Sequence, residues 1–169
     1  MPTSHIQTLR AMLREEKGVI LPGAPNALAA RIIADLGFKA VYLTGAGLTN
    51  TYLGLPDLGF MDLSLVADHV MAIRCVIDLP LIVDIDTGFG NAINVTHTVR
   101  ILEQAGASAI QIEDQHAPKR CGHFDPPGGD GGQGASRVSS RSSASSRHRS
   151  RHSSTSWPRN SACRSYRRR

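Results

Sequence analysis

Cysteines and long apolar runs are scarce in this sequence, and each shortage excludes a class of protein. The three cysteines are an odd number without metal-type spacing, so we expect no disulfide framework, and a reducing cytoplasm fits best. No run of about 18 apolar residues is present, which argues against a membrane span. Residues 1–14 lack the apolar core and cleavage site of a secretory signal. We therefore predict a cytoplasmic protein that does not interact with membranes.

Acidic residues are nearly absent from the end of the chain. Residues 126–169 contain ten Arg, thirteen Ser and one acid, Asp130, for a formal charge of +9, whereas residues 1–125 carry −4. This tail has almost no apolar periodicity, so it cannot bury enough apolar surface to offset the chain entropy lost on folding. We predict that residues 1–125 fold and that residues 126–169 are disordered.

Short apolar strands alternate with amphipathic helices through residues 1–113. Strands are predicted at 40–44, 81–86 and 109–113, helices at 27–36, 63–77 and 92–105, and a Gly-rich loop at 45–61. Such alternation is typical of a parallel sheet. An apolar run at 19–21 brings the number of βα units to four, whereas a complete barrel has eight units and about 250 residues. We predict an α/β fold, the N-terminal half of a (β/α)8 TIM-type barrel.

Apolar residues mark the buried side of each predicted helix. On the first helix they share one face, and on the other two they form a stripe. These positions are Leu28, Ile32, Ile33 and Leu36 on the first helix, Val66, Val70, Ile73 and Ile77 on the second, and Val95, Val99 and Leu102 on the third.

Polar side chains end three of the predicted strands. Residues i and i+2 of a strand point the same way, so each polar pair shares a face. The pairs are Tyr42 and Thr44, Asp84 and Asp86, and Gln111 and Glu113. In barrel enzymes, the carboxyl ends of the strands form the mouth in which the chemistry takes place. These side chains are therefore expected to converge at one mouth.

Three carboxylates at one mouth repel each other, so near neutral pH they require a cation or must take up protons. Hard oxygen ligands suit Mg²⁺. The alternative is structural: Asp86 and Thr87 precede a helix that they could cap, and Asp57 lies in a turn-prone Pro–Asp pair. We predict a divalent metal site at Asp84, Asp86 and Glu113.

A short basic segment with one cysteine follows the third strand. Cys121 lies between the cationic residues Lys119, Arg120 and His123, and nearby positive charge lowers the pKa of a thiol. Cys121 is thus a candidate acid–base group. The alternative is a solvated basic loop whose cysteine has no role.

Five motifs in this order resemble the isocitrate lyase/phosphoenolpyruvate mutase superfamily, and the methylisocitrate lyase-like branch most of all. The resemblance covers residues 5–125. The motifs are Tyr42–Gly47, Gly54–Gly59, Asp84–Gly90, Ile112–Gln115 and Lys119–His123.

The resemblance implies a set of residue roles. It gives Asp84, Asp86 and Glu113 as ligands of Mg²⁺, or of Mn²⁺. It gives Thr44, Gly45 and Ala46 as the segment that holds the carboxylate of a 2-oxo acid. It gives Asp57 as an essential acid near the metal and Tyr42 as an aid to the base. Residues 119–123 match a gating loop, in which Lys119 and Cys121 are catalytic, with Cys121 as the proton donor, and Arg120, Gly122 and His123 bind substrate.

The implied function is a Mg²⁺-dependent carbon–carbon lyase. Its substrates would be 2-hydroxy di- or tricarboxylic acids of the isocitrate or 2-methylisocitrate type, and its product a 2-oxo acid. The alternatives are a phosphonopyruvate or phosphoenolpyruvate mutase and an oxaloacetate decarboxylase-like member. Intact relatives are expected to be homo-oligomers, with a tetramer as the expected form.

The resemblance stops abruptly after Phe124–Asp125, where the Arg- and Ser-rich tail begins. This composition is typical of GC-rich coding sequence read in the wrong frame, so we interpret the tail as the product of a frameshift or truncation. The second interpretation is a basic tail that binds nucleic acid through its arginines. The third is a non-catalytic barrel remnant with an uncovered inner face. We expect the 169-residue chain to be inactive on its own.

Overall fold

The computed structural model describes residues 4–15, 18–115, 119 and 136–139. Helices and strands alternate through this part of the chain. The helices are α1 (His5–Glu15), α2 (Ala27–Asp35), α3 (Gly45–Leu48), α4 (Leu63–Val76) and α5 (Ala92–Ala105), with a π-helical turn at Thr49–Leu53. The strands are β1 (Val41–Leu43), β2 (Leu81–Asp84), β3 (Ala109–Glu113) and β4 (Ser136–Ser139).

The predicted parallel sheet is confirmed. β1 pairs in parallel with β2, and β2 pairs in parallel with β3, with Leu43 opposite Val83 and Asp84 opposite Gln111. Before β1, Gly23 forms a parallel bridge with Tyr42, so the run predicted at 19–21 contacts the sheet slightly later in the chain. Parallel pairing brings the carboxyl ends of β1, β2 and β3 to the same edge of the sheet.

The main core lies between the sheet and helices α2, α4 and α5. The stripe predicted on α4 is confirmed, because Val66, Val70, Ile73 and Ile77 are all buried. On α5, Leu102 is buried, while Val95 and Val99 are half-buried. Strand residues such as Val83 pack against these helices from the sheet.

The apolar face predicted on α2 is wrong in three of its four positions. Ile33 is buried, but Leu28, Ile32 and Leu36 are exposed. The side of α2 that packs on β1 and α4 instead carries the fully buried Ala30 beside Ile33. Because the side chain of Ala30 is small, α2 can pack close to its neighbours, and Leu28, Ile32 and Leu36 lie outside the contact.

Helix α1 covers part of the sheet face opposite the main core. Leu9 and Met12 pack on Ala40, Ile82 and Ala109 in a second cluster of buried residues. The inner face expected to be uncovered is therefore closed at the amino end of the strands. The carboxyl end of that face is left for the polar groups described below.

The loop predicted at 45–61 contains helical turns. The Thr44 hydroxyl oxygen accepts a hydrogen bond from the Gly47 N–H and caps α3. The hydroxyl of Thr49 then donates to the Gly45 carbonyl at 3.0 Å, and that of Thr51 donates to the Gly47 carbonyl at 2.8 Å. These hydroxyl groups bond to backbone carbonyls one turn earlier, and so tie the glycine-rich segment together as helical turns.

Four residues of the segment predicted to be disordered form a strand. β4 pairs antiparallel with β3, with Arg137 opposite Ile112 and Ser136 opposite Glu113. The physical reason is that the outer edge of β3 carries backbone groups that another strand can pair with. The rest of the segment 126–169 lies outside the described residues.

Cys75 differs from its expected state. It lies half-buried on α4, outside the buried stripe, and it is disulfide-bonded. The sequence predicted no disulfide framework, and this single disulfide is a feature that the cysteine spacing did not indicate. Cys121 and Cys163 lie outside the described residues.

Within the part of the chain that the structure describes, no helix has both the length and the apolar character needed to cross a bilayer.

Candidate active site

An ionic cluster lies at the carboxyl edge of the sheet. The Lys119 ammonium donates to both carboxylate oxygens of Asp57, at 3.1 and 2.9 Å, and also to Oδ1 of Asp86. The side chains are largely buried, with 6% of Lys119, 14% of Asp57 and 12% of Asp86 exposed. The cluster joins segments that are far apart in sequence, so Lys119 ties the residues after β3 to those after β1 and β2.

Asp84 is the second carboxylate at this edge, at the last position of β2. Its Oδ2 accepts from the Gly45 N–H at 3.2 Å, and its Oδ1 accepts from the Asp86 N–H at 3.1 Å. A Cβ at Gly45 would lie 3.1 Å from Asp84 Oδ2. Glycine at this position therefore lets the backbone after β1 come close to the carboxylate.

Asp86 reaches the cluster through a turn and not through the strand predicted for it. β2 ends at Asp84, and Asp86 has a φ of 49°, in the left-handed region. Its carbonyl accepts a hydrogen bond from the Glu113 N–H at 2.7 Å. The turn therefore brings Asp86 back toward the end of β3.

The acids of this edge affect each other's protonation. Burial raises the pKa of Asp86, and the hydrogen bond from Lys119 opposes that rise. Burial is also the main cause that raises the pKa of Glu113, where Lys119 again opposes and the charges of Asp84 and Asp86 add to the rise. Burial opposes the charged form of Lys119, but its hydrogen bonds to the carboxylates outweigh this effect and raise its pKa.

Tyr42 faces the same carboxylates from β1. Burial, the charge of Asp84 and a hydrogen bond to that residue raise its pKa well above the usual value of 10.0. Tyr42 therefore keeps its proton at neutral pH, and its hydroxyl donates a hydrogen bond to the Asp84 carboxylate. As a base it would first have to lose that proton, so its geometry suits a positioning hydrogen bond.

We expect the stability of the protein to fall as the pH rises above 10. The folded state binds the protons of Tyr42 and Lys119 more tightly than the unfolded chain does. The stability that these protons confer is complete below the usual pKa values of 10.0 and 10.5 and is lost at higher pH. Urea unfolding at pH 9, 10 and 11 measures this loss.

The variant Tyr42→Phe is expected to lose part of that pH dependence, because it has no phenolic proton. Tyr52→Phe, at an exposed tyrosine, is the matched control and is expected to keep the wild-type dependence. Equal slopes for wild type and Tyr42→Phe would contradict the expectation.

The segment expected to hold a substrate carboxylate lies next to Asp84. The Thr44 hydroxyl caps α3, and the Gly45 N–H is bound to Asp84. Ala46 follows within α3. The structure therefore brings the three residues to the edge of the site, and in this state two of them are used in internal hydrogen bonds.

The three predicted metal ligands lie at the same edge of the sheet, but their side chains are not arranged to hold a metal ion. Within residues 4–15, 18–115 and 119, no three His, Cys, Asp or Glu side chains are grouped to hold a metal ion. Lys119 bonds to Asp86, and Gln115 donates to Glu113 Oε2 at 2.9 Å. The donor chemistry nevertheless fits Mg²⁺, because all three side chains offer hard oxygens.

Sequence reasoning missed two features of the site. It placed Lys119 in a loop over the site, whereas the structure buries its ammonium among the carboxylates. It also missed Gln115, whose amide bonds to Glu113. The i, i+2 spacing of Glu113 and Gln115 was the available signal for the second. Arg120, Cys121, Gly122 and His123 lie outside the described residues.

Comparison with known proteins gives consistent matches. The sequence pattern of the phosphoenolpyruvate phosphomutase family matches residues 9–129. The 2,3-dimethylmalate lyase of Eubacterium barkeri is 47% identical over 116 residues, which are 69% of this chain and 40% of that protein. The 2-methylisocitrate lyase of Aeropyrum pernix is 50% identical over 116 residues, which are 69% of this chain and 37% of that protein.

The fold shows the same relationship. A crystal structure of phosphonopyruvate hydrolase in complex with oxalate and Mg²⁺ is similar with a TM-score of 0.66 and 38% identity, over 70% of this chain and 41% of that one. Solved members of the phosphoenolpyruvate mutase/isocitrate lyase superfamily align with about 70% of the chain, which confirms the predicted part of a TIM barrel. The chain spans about 40% of the length of the curated relatives that it matches.

Proposed function

Because this chain belongs to the phosphoenolpyruvate phosphomutase family, we propose that its described residues supply the metal- and acid-binding wall of a carbon–carbon lyase. The proposed substrates are 2-hydroxy di- or tricarboxylic acids of the isocitrate or 2-methylisocitrate type. The observation that carries the proposal is the meeting of Asp57, Asp84, Asp86 and Lys119 at the carboxyl edge of the sheet. The similarity to two lyases supports it.

The proposed reaction breaks one carbon–carbon bond. The substrate hydroxyl loses its proton to a base, the electron pair of the broken bond moves to the leaving carbon, and a 2-oxo acid remains. The leaving carbon is an enolate of a carboxylate, and it takes up a proton to give the second product. The sequence resemblance assigns that proton to Cys121.

Mg²⁺, held by Asp84, Asp86 and Glu113, would neutralise the negative charge that develops on the substrate oxygens. The residues of the chain act around this charge. Lys119 adds a buried positive charge that bonds to Asp57 and Asp86, and such fixed charges stabilise developing anions in sites that exclude water. Tyr42 orients Asp84 by donating to it.

Mutase or hydrolase chemistry on phosphonopyruvate-like compounds is the second candidate. The match to the phosphomutase family and the similarity to a phosphonopyruvate hydrolase favour it. Both chemistries begin with the binding of a 2-oxo or 2-hydroxy acid at the same wall. Mutase members lack the cysteine-containing segment at 119–123, so the presence of Cys121 favours the lyase.

We expect the chain to bind Mn²⁺, as a paramagnetic substitute for Mg²⁺, through the carboxylates of this edge. The double variant Asp84→Asn/Asp86→Asn should weaken binding about 100-fold or more, because the loss of ligands costs more than the loss of their outer partners. Electron paramagnetic resonance of free Mn²⁺ measures the affinity.

Asp68→Asn is the matched control, because Asp68 is an exposed acid of α4 away from the cluster. It is expected to bind Mn²⁺ as the wild type does. Equal affinities for the wild type and the double variant would show that this edge holds no metal.

A further inference from the structure

The turn that carries Asp86 has a strained backbone. Asp86 and Phe89 have φ angles of 49° and 60°, and between and after them Gly88 and Gly90 have φ angles of 95° and 143°. Side chains other than glycine rarely adopt this left-handed conformation, and it persists only where surrounding structure imposes it. The turn therefore needs contacts that hold it.

Helix α5 provides one such contact through Thr98. The Thr98 hydroxyl, which is fully buried, donates to the Gly88 carbonyl at 3.0 Å. Next to it, Val95 fills the space beside Gly88, since a Cβ on that glycine would lie 2.4 Å from the Val95 side chain. The turn is thus packed on α5 and hydrogen-bonded to it at the same residue.

The partner of Thr98 is unusual for a helical threonine. A threonine hydroxyl within a helix commonly bonds to the carbonyl four residues earlier. Thr96 of α5 does so, bonding to Ala92 at 3.3 Å. Thr98 instead bonds to a carbonyl ten residues earlier, outside the helix, so its hydroxyl links α5 to the turn.

The turn connects Thr98 to the ionic cluster. The Gly88 N–H donates to the Ile85 carbonyl, and the Glu113 N–H donates to the Asp86 carbonyl, both at 2.7 Å. The Asp86 carboxylate bonds to Lys119 on the far side of the turn. Movement of Gly88 would therefore move Asp86, and with it the group that holds Lys119.

We propose that Thr98 is a positioning residue, whose hydroxyl fixes the 86–90 turn and thereby holds the Asp86 carboxylate in the site. In its consequence for metal binding, this inference rests on the proposed function. In its consequence for the Asp86–Lys119 contact, it does not. The hydrogen bond of Thr98 goes to the Gly88 carbonyl of the turn, and not to a side chain of the three candidate ligands.

The test compares Thr98→Val, which removes the hydroxyl, with Thr98→Ser, which restores it. Thr96→Val is the matched control on the exposed side of the same helix. Amide hydrogen exchange at Gly88 and Glu113 reports on the turn, and the Lys119 ammonium signal in nuclear magnetic resonance spectra reports on its contact with Asp86. Mn²⁺ affinity reports on whether the Asp86 carboxylate is still placed to bind the proposed metal ion.

In Thr98→Val we expect exchange at Gly88 and Glu113 to be about tenfold faster, as follows from the loss of a buried hydrogen bond. The amide of Tyr42, which bonds to Pro22, should be much less affected. The Lys119 signal should shift. Mn²⁺ affinity should fall by at most about tenfold, the lower end of the loss caused by removing a group bonded directly to a metal ligand, because Thr98 acts on Asp86 only through the turn. Thr98→Ser should restore all three readouts, and Thr96→Val should change none.

Equal acceleration of all protected amides, with an unchanged Lys119 signal, would show that Thr98 only stabilises the core and would overturn the proposal. An unchanged Lys119 signal together with unchanged Mn²⁺ affinity would overturn it as well, even if the turn exchanged faster. If the wild type binds no Mn²⁺, the proposed metal function fails. The exchange and Lys119 signals then still decide whether Thr98 positions Asp86.

Discussion

The purified 169-residue chain is expected to release no 2-oxo acid above the uncatalysed rate from isocitrate or 2-methylisocitrate, with Mg²⁺ present. It spans about 40% of the length of its curated relatives. The described sheet provides one wall of a mouth that eight strands surround in a complete barrel. Each missing contact to a developing charge costs about 2.7–4 kcal/mol. The loss of several would lower the rate by many powers of ten.

The assay is the formation of 2-oxo acid, followed as its phenylhydrazone. The positive control is the protein made from a gene whose reading frame is shifted after the Asp125 codon, provided that this shift restores a family-like continuation. That chain is expected to be active. Turnover by the 169-residue chain at the rate of the control, abolished by Cys121→Ala, would contradict the expectation.

The variant Lys119→Met is expected to lower the free energy of unfolding by about 3–5 kcal/mol at pH 7, the usual cost of removing one partner from a buried ion pair. Lys119 is the shared cation of two mostly buried carboxylates. Without it, Asp57 and Asp86 remain close together with no positive partner in this cluster. Since domains unfold at a cost of about 5–15 kcal/mol in total, this is a large fraction of the stability.

Part of that loss should be recovered at lower pH. Burial already raises the pKa of Asp86 while Lys119 is present, and removal of the ammonium raises it further. The folded variant then binds a proton more tightly than the unfolded chain, so its stability rises as the pH falls from 7 toward 5. Urea unfolding at both pH values measures this change.

Arg100→Met is the control for the loss of a surface cation, because Arg100 is exposed on α5. It is expected to change the free energy of unfolding by less than about 0.5 kcal/mol, as surface substitutions usually do. A stability of Lys119→Met within about 1 kcal/mol of the wild type, with no pH dependence of its own, would show that the ion pairs contribute little.

The alternation of β1, β2 and β3 with α2, α4 and α5 could be predicted from local pattern, whereas α1, α3 and β4 were not predicted. Apolar strands between amphipathic helices allow few folds other than a parallel sheet, and the parallel pairing of β1, β2 and β3 agrees with that prediction. The prediction was wrong on α2, where Ala30 and not Leu28 or Leu36 faces the sheet. The periodicity of apolar residues shows which of them share a face of a helix, but it does not show how closely that helix packs on the sheet.

The candidate site was predicted in part. Asp84 and Glu113 lie at the carboxyl ends of β2 and β3, near which the polar pairs were predicted, although β2 ends two residues earlier than the predicted strand 81–86. Asp86 reaches the same edge by a left-handed turn, which no strand pattern predicts. The roles assigned to the metal ligands, to residues 44–46 and to residues 119–123 came from resemblance, and they stay predictions.

The sequence by itself determined the acids and the strands that carry them, because side-chain chemistry and strand ends can be identified from short segments. Only the tertiary structure decided that Lys119 lies between Asp57 and Asp86, and that Thr98 holds the turn beneath them. Lys119 and Asp57 are 62 positions apart in the chain. Contacts over such separations form only when packed helices and paired strands fix the backbone. No local pattern of residues contains that information.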